Sequence, residues 1–544
     1  MKLKKDSAGQ KIRGAYYTPI ELAVAMVKHS CMKGAKAILE PSCGDGVFLE
    51  ALKECHALAE DVRIDAVELN EQALISASQI SLGRANLRFI HGDFFEFYED
   101  TPARSYDLIL GNPPYIRYQY LEPEQRLLLA DILQRQGMKA NKLINAWVAF
   151  MVACTDLLVD DGLLSFVVPA EILQVAYAED LRRFLAREYE YVTLVTFKKL
   201  VFDDIEQETV IFIGKKGPKP GMIRVVEVED ISEMQSHSFE DVEYQPLDLA
   251  NGKWTRYFID AHDAKALSIL REDKRLTPLS RLATINVGVT TGNNSFFSLT
   301  DCVSGAYDLD SKTLPLIGRS SHASGVFFTE EDWEANRKLG KRARLLVLED
   351  GEYKRLSQTQ KNYIDLGVER GENKGYKCSI RNSWYSVPSV WIPDAFFLRR
   401  NNLYPKLVLN RCGAISTDTM HRIKFNSGVD PETVVISYYN SIAFAFTELC
   451  GRSYGGGVLE ILPKEVGNVL VLDPKHLSLD NSLKQRILGK LDKVVRSGGC
   501  IDDALDYVDE VVLVDILGFE PSVCATCRRV WKTLQARRLN RGSR

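Results

Sequence analysis

The sequence predicts a doubly wound α/β domain followed by a second, mixed α/β part, and three observations carry that prediction. Over roughly the first 240 of its 544 residues, short aliphatic runs alternate with amphipathic helical stretches, the pattern of a parallel sheet covered on both faces. The first apolar run leads at once into a glycine-containing turn and a helix start, Lys36-Ala-Ile-Leu-Glu40-Pro-Ser-Cys43-Gly44-Asp45-Gly46-Val-Phe-Leu49. After about Glu240 the alternation lapses, and aromatics, asparagine and glycine accumulate.

Taken along the chain, strands are expected at Ala37–Glu40, Ile64–Glu68, Leu87–His91, Tyr106–Gly111, Leu163–Pro169, Tyr191–Phe197 and Thr209–Lys215. Helices fall between them, among others at Glu21–Lys33, Gly46–Ala57 and Ala146–Val159. The breaker-rich stretch Lys215-Lys-Gly-Pro-Lys-Pro-Gly221 most simply turns a hairpin into Met222–Val228. These signals give a first domain over 1–245, a second part over 246–472, and a helical segment over 473–544, where helical periodicity returns at Asp473–Leu517.

Composition narrows the class. No run of about 18 apolar residues could span a membrane, and the start turns polar by Asp6 before a signal-peptide core can form, so a cytoplasmic location is expected. Eleven cysteines scattered singly point to reduced thiols, and Cys524-Ala-Thr-Cys527 lacks a second pair to complete a zinc site, so no metal is expected. The formal net charge of −4 does not decide nucleic-acid binding, because distribution matters more than the sum. Arg528, Arg529, Lys532, Arg537, Arg538, Arg541 and Arg544 form a terminal stretch without an acid, read either as a solvated helix or as a contact to phosphate.

Three successive strand ends offer groups for one ligand. Glycines after the first strand let the backbone approach a ligand at the carboxyl edge of the sheet, with Cys43 and Gly44 in the loop itself. Glu68 ends the second strand, at the spacing where a carboxylate accepts from ribose hydroxyls. Asp93 follows the third strand and can accept from an adenine amino group while Phe94 flanks the ring. The loop lacks the Gly-Lys-Ser/Thr ending of a phosphate cradle and is rich in acids, which suit a ligand bearing a sulfonium and an ammonium. That chemistry points to S-adenosyl-L-methionine rather than ATP or a dinucleotide.

Directly after the fourth strand comes Asn112-Pro113-Pro114-Tyr115. The Asn112 side-chain oxygen and the Pro113 carbonyl can each take a hydrogen bond from an aromatic amino group, steering its lone pair out of the ring plane. The doubled proline fixes the backbone that carries these acceptors, and Pro114 borders the cofactor as well. Tyr115 can stack on a base turned out of a duplex. Phe202, before the Thr209–Lys215 strand, is the candidate for the other face of that base, its alternative being an ordinary core phenylalanine.

In this order, Gly14-Ala-Tyr-Tyr17-Thr18-Pro19, Glu40-Pro-Ser-Cys-Gly-Asp-Gly, Val67-Glu68, Gly92-Asp93-Phe94 and Asn112-Pro-Pro-Tyr115 resemble the gamma-class, TaqI-like adenine-N6 DNA methyltransferases of type II restriction–modification systems. The likeness covers residues 14 to 215. It implies a Rossmann-like methyltransferase sheet and a carboxyl-terminal target-recognition domain, with Thr18 and Glu40 near the methionine end of the cofactor and Glu68 and Asp93 holding ribose and adenine. It also implies double-stranded DNA as substrate, a separate cognate restriction endonuclease, and an enzyme that can act as a monomer.

In the second part, Ile285-Asn-Val-Gly288-Val-Thr-Thr-Gly292-Asn-Asn-Ser-Phe-Phe297 and Gly451-Arg-Ser-Tyr-Gly455-Gly-Gly457 look similar to pieces of the recognition domains of that group. Between Tyr376 and Arg422, bases interleave with aromatics, and Arg381, Trp384, Arg399, Arg400, Lys406 and Arg411 are the candidate DNA contacts. Solvated charges around a small core are the plain alternative. Asn-Pro-Pro-Tyr also serves enzymes that methylate a protein glutamine, and related loops occur in RNA methyltransferases; the Tyr-Thr-Pro motif and the long second part favour DNA. A bifunctional restriction–modification enzyme would need a nuclease, for which no convincing acidic motif stands in the second part and no room precedes Gly14.

Overall fold

The computed structural model describes residues 18–540 apart from 31–33, 57, 59–60, 84, 140–144, 200–207, 219–220, 248–251 and 455. The chain divides into two compact units, one up to Ala261 and one from His262 onward.

Nine strands of the first unit form one sheet: β1 (Ala37–Glu40), β2 (Arg63–Glu68), β3 (Asn86–His91), β4 (Tyr106–Gly111), β5 (Leu158–Pro169), β6 (Tyr189–Phe197), β7 (Thr209–Lys216), β8 (Met222–Val228) and β9 (Gln245–Pro246). Their order is β3-β2-β1-β4-β5-β7-β6-β8-β9. Strands β1 to β5 run parallel, with Ile38 level with Ile64 on one side and with Leu108 on the other. The winding reverses between β1 and β4, and loops leaving the carboxyl ends of those two strands border the crevice where open sheets bind ligands.

Alternate residues of each strand enter opposite cores. Leu39 and Ile109 pack with the helices Phe94–Glu99, Ala146–Leu157 and Glu179–Glu188, whereas Ile38, Leu108 and Leu110 pack with Ile20–Ser30 and Val47–Glu54. The run Leu164–Pro169 of β5 is buried without alternation because helices cover both faces. The doubly wound expectation holds.

Three sequence expectations need correction. The predicted hairpin between Thr209–Lys215 and Met222–Val228 does not form: β7 is already paired antiparallel with β5 and β6, so both its edges are taken, and β8 joins the free edge of β6 in parallel. The first unit extends past 245, since β9 pairs with β8 and the aromatic side chains of Trp254 and Tyr257 are buried in the first core. The segment from 473 is not separate either. Its last helix, Pro521–Asn540, lies on the helix Ser441–Cys450 of the second unit, with Trp531 edge-on to Phe444 at 5.1 Å.

The second unit is mixed α/β. A five-stranded sheet takes the order 283–287, 420–425, 395–398, 407–410, 327–328, beside a four-stranded sheet of 298–299, 344–346, 313–317 and 415–416. Gly288 lies where the chain crosses Thr417, and a Cβ there would sit 1.8 Å from the Thr417 carbonyl oxygen. Only glycine permits that approach, which gives the Ile285–Phe297 motif a backbone reason. Among the described residues no helix is long and apolar enough to cross a membrane.

Candidate active site

The loop after β1 is built by its own backbone. The Cys43 N–H donates to the Val67 carbonyl and the Gly46 N–H to the Cys43 carbonyl, closing a turn before the helix Val47–Glu54. Gly46 has φ +93°, and a Cβ there would meet Ile80 Cδ1 at 2.6 Å, so the conformation and the neighbouring packing both require glycine. Glu68, at the end of β2, accepts the Gly44 N–H at 2.9 Å with one oxygen and the Asn70 N–H at 2.7 Å with the other. Each oxygen keeps a second lone pair, so the same carboxylate can brace the loop and receive a ribose hydroxyl.

Glu40 is different. It is 1% exposed at the end of β1, and neither carboxylate oxygen has a hydrogen-bond partner among the described residues. Burial first, then the charges of Glu68 and Asp45, push its carboxyl well above the ordinary range. An uncompensated buried acid is costly unless something cationic comes to it. A ligand carrying a sulfonium and an ammonium meets that need, so the residues present fit the expected cofactor. The Cys43 thiol, pushed up by burial and by the same acids, is a packing group of the loop.

The Asn112–Tyr115 loop leaves β4 alongside. Ser42 Oγ donates to the Asn112 carbonyl at 3.2 Å, joining the loop after β1 to the loop after β4. Asn112 Nδ2 donates to Thr18 Oγ1 at 3.2 Å, so the amide plane is fixed, with its nitrogen end assigned to Thr18 and its oxygen at the opposite end. Thr18 is 7% exposed. Pro113 is buried, Pro114 and Tyr115 are half-buried, and the Tyr115 ring packs against the first core. The sequence singled out Thr18 for the cofactor; its bond to Asn112 joins residues 94 positions apart and has no local signal.

Asp93 and Phe94 each make structural contacts in the fold. Asp93 caps the helix Phe94–Glu99 by accepting the Phe95 N–H at 2.9 Å, and its second oxygen accepts from Gln125 Nε2 at 2.8 Å. The Phe94 ring, 4% exposed, stacks on Phe150 with centroids 4.6 Å apart, so one of its faces is covered by protein. Phe202 lies outside the described residues.

The six predicted DNA contacts do not form an array of free cations. Arg399 and Arg400 share Glu460 at 2.8 and 3.5 Å, and Arg411 pairs with Glu432 at 2.5 Å. Lys406 donates to the carbonyls of Ala323 and Ser324, and Arg381 to those of Thr290, Thr291 and Trp384. Trp384 packs against Phe296 and Phe297. Within the described part of the basic terminal stretch, Arg528 pairs with Asp502, Asp506 and Asp509, Lys532 with Asp502, and Arg529 with Asp263. Composition showed the bases but not the distant acids that the fold brings to them.

Both parts of the chain have counterparts among known proteins. Residues 42–202 match the family of the Eco57I restriction-modification methylase, and residues 251–513 match the C-terminal domain of the type II methyltransferase M.Eco57I. The type II methyltransferase M.AccI of Acinetobacter calcoaceticus is 23% identical over 528 residues, 88% of this chain and 92% of that one. M.XamI of Xanthomonas campestris pv. amaranthicola, also a type II methyltransferase, is 22% identical over 482 residues, 85% and 86% of the two chains. Among solved structures, the type IIL restriction-modification enzyme MmeI in complex with DNA superposes with a TM-score of 0.55 at 13% identity, over 92% of this chain and 73% of that one, a likeness of fold.

Proposed function

The chain belongs to the type II restriction–modification methyltransferases and takes S-adenosyl-L-methionine as its methyl donor, and from that premise we propose that it methylates the N6 amino group of adenine in double-stranded DNA. Its modification protects DNA from a cognate restriction endonuclease, and one copy of the chain suffices for the reaction.

The observation that carries this reading is the Asn112–Thr18 bond at the exit of β4, next to the buried, unpartnered Glu40 at the exit of β1. When bound, S-adenosyl-L-methionine supplies an electrophilic methyl group, with Glu40 near its methionine end, Glu68 toward the ribose and Asp93 toward the adenine. The adenine amino group is a poor nucleophile because its lone pair is delocalised into the ring. Asn112 Oδ1 and the Pro113 carbonyl accept its two N–H bonds and turn the lone pair out of the ring plane, a gain of geometry and electrostatics. Tyr115 stacks on the extruded base, with Phe202 proposed for the opposite face, since pairing otherwise hides the atom.

The test incubates the full-length protein with duplex DNA and methyl-labelled cofactor, followed by nucleoside analysis. N6-methyladenine is expected; label in methylcytosine or in protein overturns the reading. Asn112→Ala is expected to lower transfer by at least about a hundredfold, the size of removing one preorganised polar contact, while cofactor binding persists.

A further inference from the structure

The geometry points to a binding pocket for a DNA backbone phosphate in the second unit, held by Arg319, Lys341 and Arg342. The proposal rests on the reading of duplex DNA as substrate and names where the second unit grips it.

A cavity of about 580 Å³ opens among the ends of the four-stranded sheet, walled by the 294–298 segment, by the loop after 317 and by residues just before strand 344–346. Arg319, Lys341, Arg342 and His322 line it, and among the described residues no carboxylate, no Phe, Tyr or Trp ring and no large aliphatic side chain does. Arg319 is exposed, and its guanidinium has neither a hydrogen bond nor an ion pair among the described residues. Arg342 donates to the Ser295 carbonyl, at 2.7 Å, and Lys341 to Asn336 Oδ1, at 2.7 Å.

Their immediate neighbours are treated otherwise. Arg337 and Arg344 flank Lys341 and Arg342 in sequence, and both are paired with Asp301, at 2.8 and 2.6 Å. The fold therefore neutralises the bases around the cavity and leaves those inside it without a carboxylate. His322, 6% exposed, accepts the Gly318 N–H at Nδ1, which leaves Nε2–H as its donor; burial and the nearby Lys341 and Arg319 hold it down to about 4, so it is neutral at pH 7.

An uncompensated set of guanidinium, ammonium, hydroxyl and amide groups calls for an anion. A lining without Phe, Tyr or Trp argues for the backbone over a base, because phosphate oxygens take their bonds from Arg, Lys, Ser, Asn and Thr. The wall also explains the Ile285–Phe297 motif: Gly288 lets the strand cross Thr417, and the turn after it delivers Asn294, Ser295 and Ser298 to the cavity.

Duplex affinity of the full chain measured against salt concentration tests the proposal. Removing one bond to a phosphate makes the slope of log K on log salt shallower by about 0.9, so Arg319→Gln with Arg342→Gln is expected to flatten it by about 1 to 2, with cofactor affinity and the rate at saturating DNA unchanged. Arg319→Gln alone disturbs no intramolecular partner and is expected to flatten it by about 1. An unchanged slope in both variants overturns the pocket while leaving the proposed function standing. Stabilisation of the chain by inorganic phosphate at constant ionic strength, with that same unchanged slope, assigns the cavity to a free anion and also overturns it. A wild-type chain that neither binds nor methylates duplex DNA overturns the function itself.

Discussion

Two buried glutamates separate the two units by what each was left without. Glu448 in the second unit is 7% exposed and receives Arg538 Nη2 at 2.7 Å, and the guanidinium is itself 1% exposed. Burial still pushes the Glu448 carboxyl up, against the pull of Arg538. Glu40 in the first unit is as deeply buried and, among the described residues, has no cation and no hydrogen bond. A permanent partner marks a fastener, here one that ties the helix Pro521–Asn540 to Ser441–Cys450. On the proposed reading, the missing partner at the mouth of the crevice keeps a place for a cationic ligand, whose arrival would offset the cost of burying that acid.

The largest effect is expected where the existing partner is removed. Arg538→Ala strands Glu448 and is expected to cost about 3–5 kcal/mol of stability in denaturant titrations. The loss grows as pH rises, because a lone buried acid held above its unfolded value binds a proton that the unfolded chain has released. A cost under about 1 kcal/mol at pH 8 reduces the pair to the worth of a surface one.

Next comes Glu40→Gln, expected to leave the ligand-free chain as stable or more so, yet to weaken cofactor binding by about 1.5–3 kcal/mol, the worth of a bond to a charged group, read by calorimetry. A variant that unfolds with cofactor affinity intact makes Glu40 structural.

Proton linkage is subtler. Because the Glu40 carboxyl is raised in the folded chain, ligand-free stability falls as pH rises from its unfolded value through the raised one. Cofactor binding favours the ionised form, so it releases a proton in that window and tightens with rising pH; Glu40→Gln abolishes both trends, which calorimetry in buffers of different ionisation enthalpy detects.

The smallest effect is at Thr18→Val, which takes one bond from the Asn112 amide and is expected to slow methyl transfer by about 1 kcal/mol, roughly fivefold, the net value of one neutral hydrogen bond. Cofactor affinity stays put if Thr18 acts through Asn112; a change in that affinity alone assigns Thr18 to the cofactor instead.

Much of the catalytic unit was legible because its signals are local. A strand of period two, a helix of period 3.6 and glycines at turns declare themselves within a few residues, and β1 to β4 with their four loops lie where the pattern puts them. Trp254 and Tyr257 were misassigned because an aromatic-rich stretch looks alike whether it closes one core or begins another.

The inventory is written in the chain itself: the sheet, the glycine turns at Gly44 and Gly46, the acids at three strand ends, and Asn112-Pro113-Pro114-Tyr115 after the fourth. Which polar groups meet is a property of the folded path alone. Arg538 finds Glu448 90 positions away, Asn112 finds Thr18 at 94, and Arg400 finds Glu460, while the Arg319 guanidinium finds none among the described residues. The difference is one of range: backbone geometry and periodicity act over a turn or two of chain, whereas an ion pair depends on a separation of a few ångströms that only tertiary packing supplies.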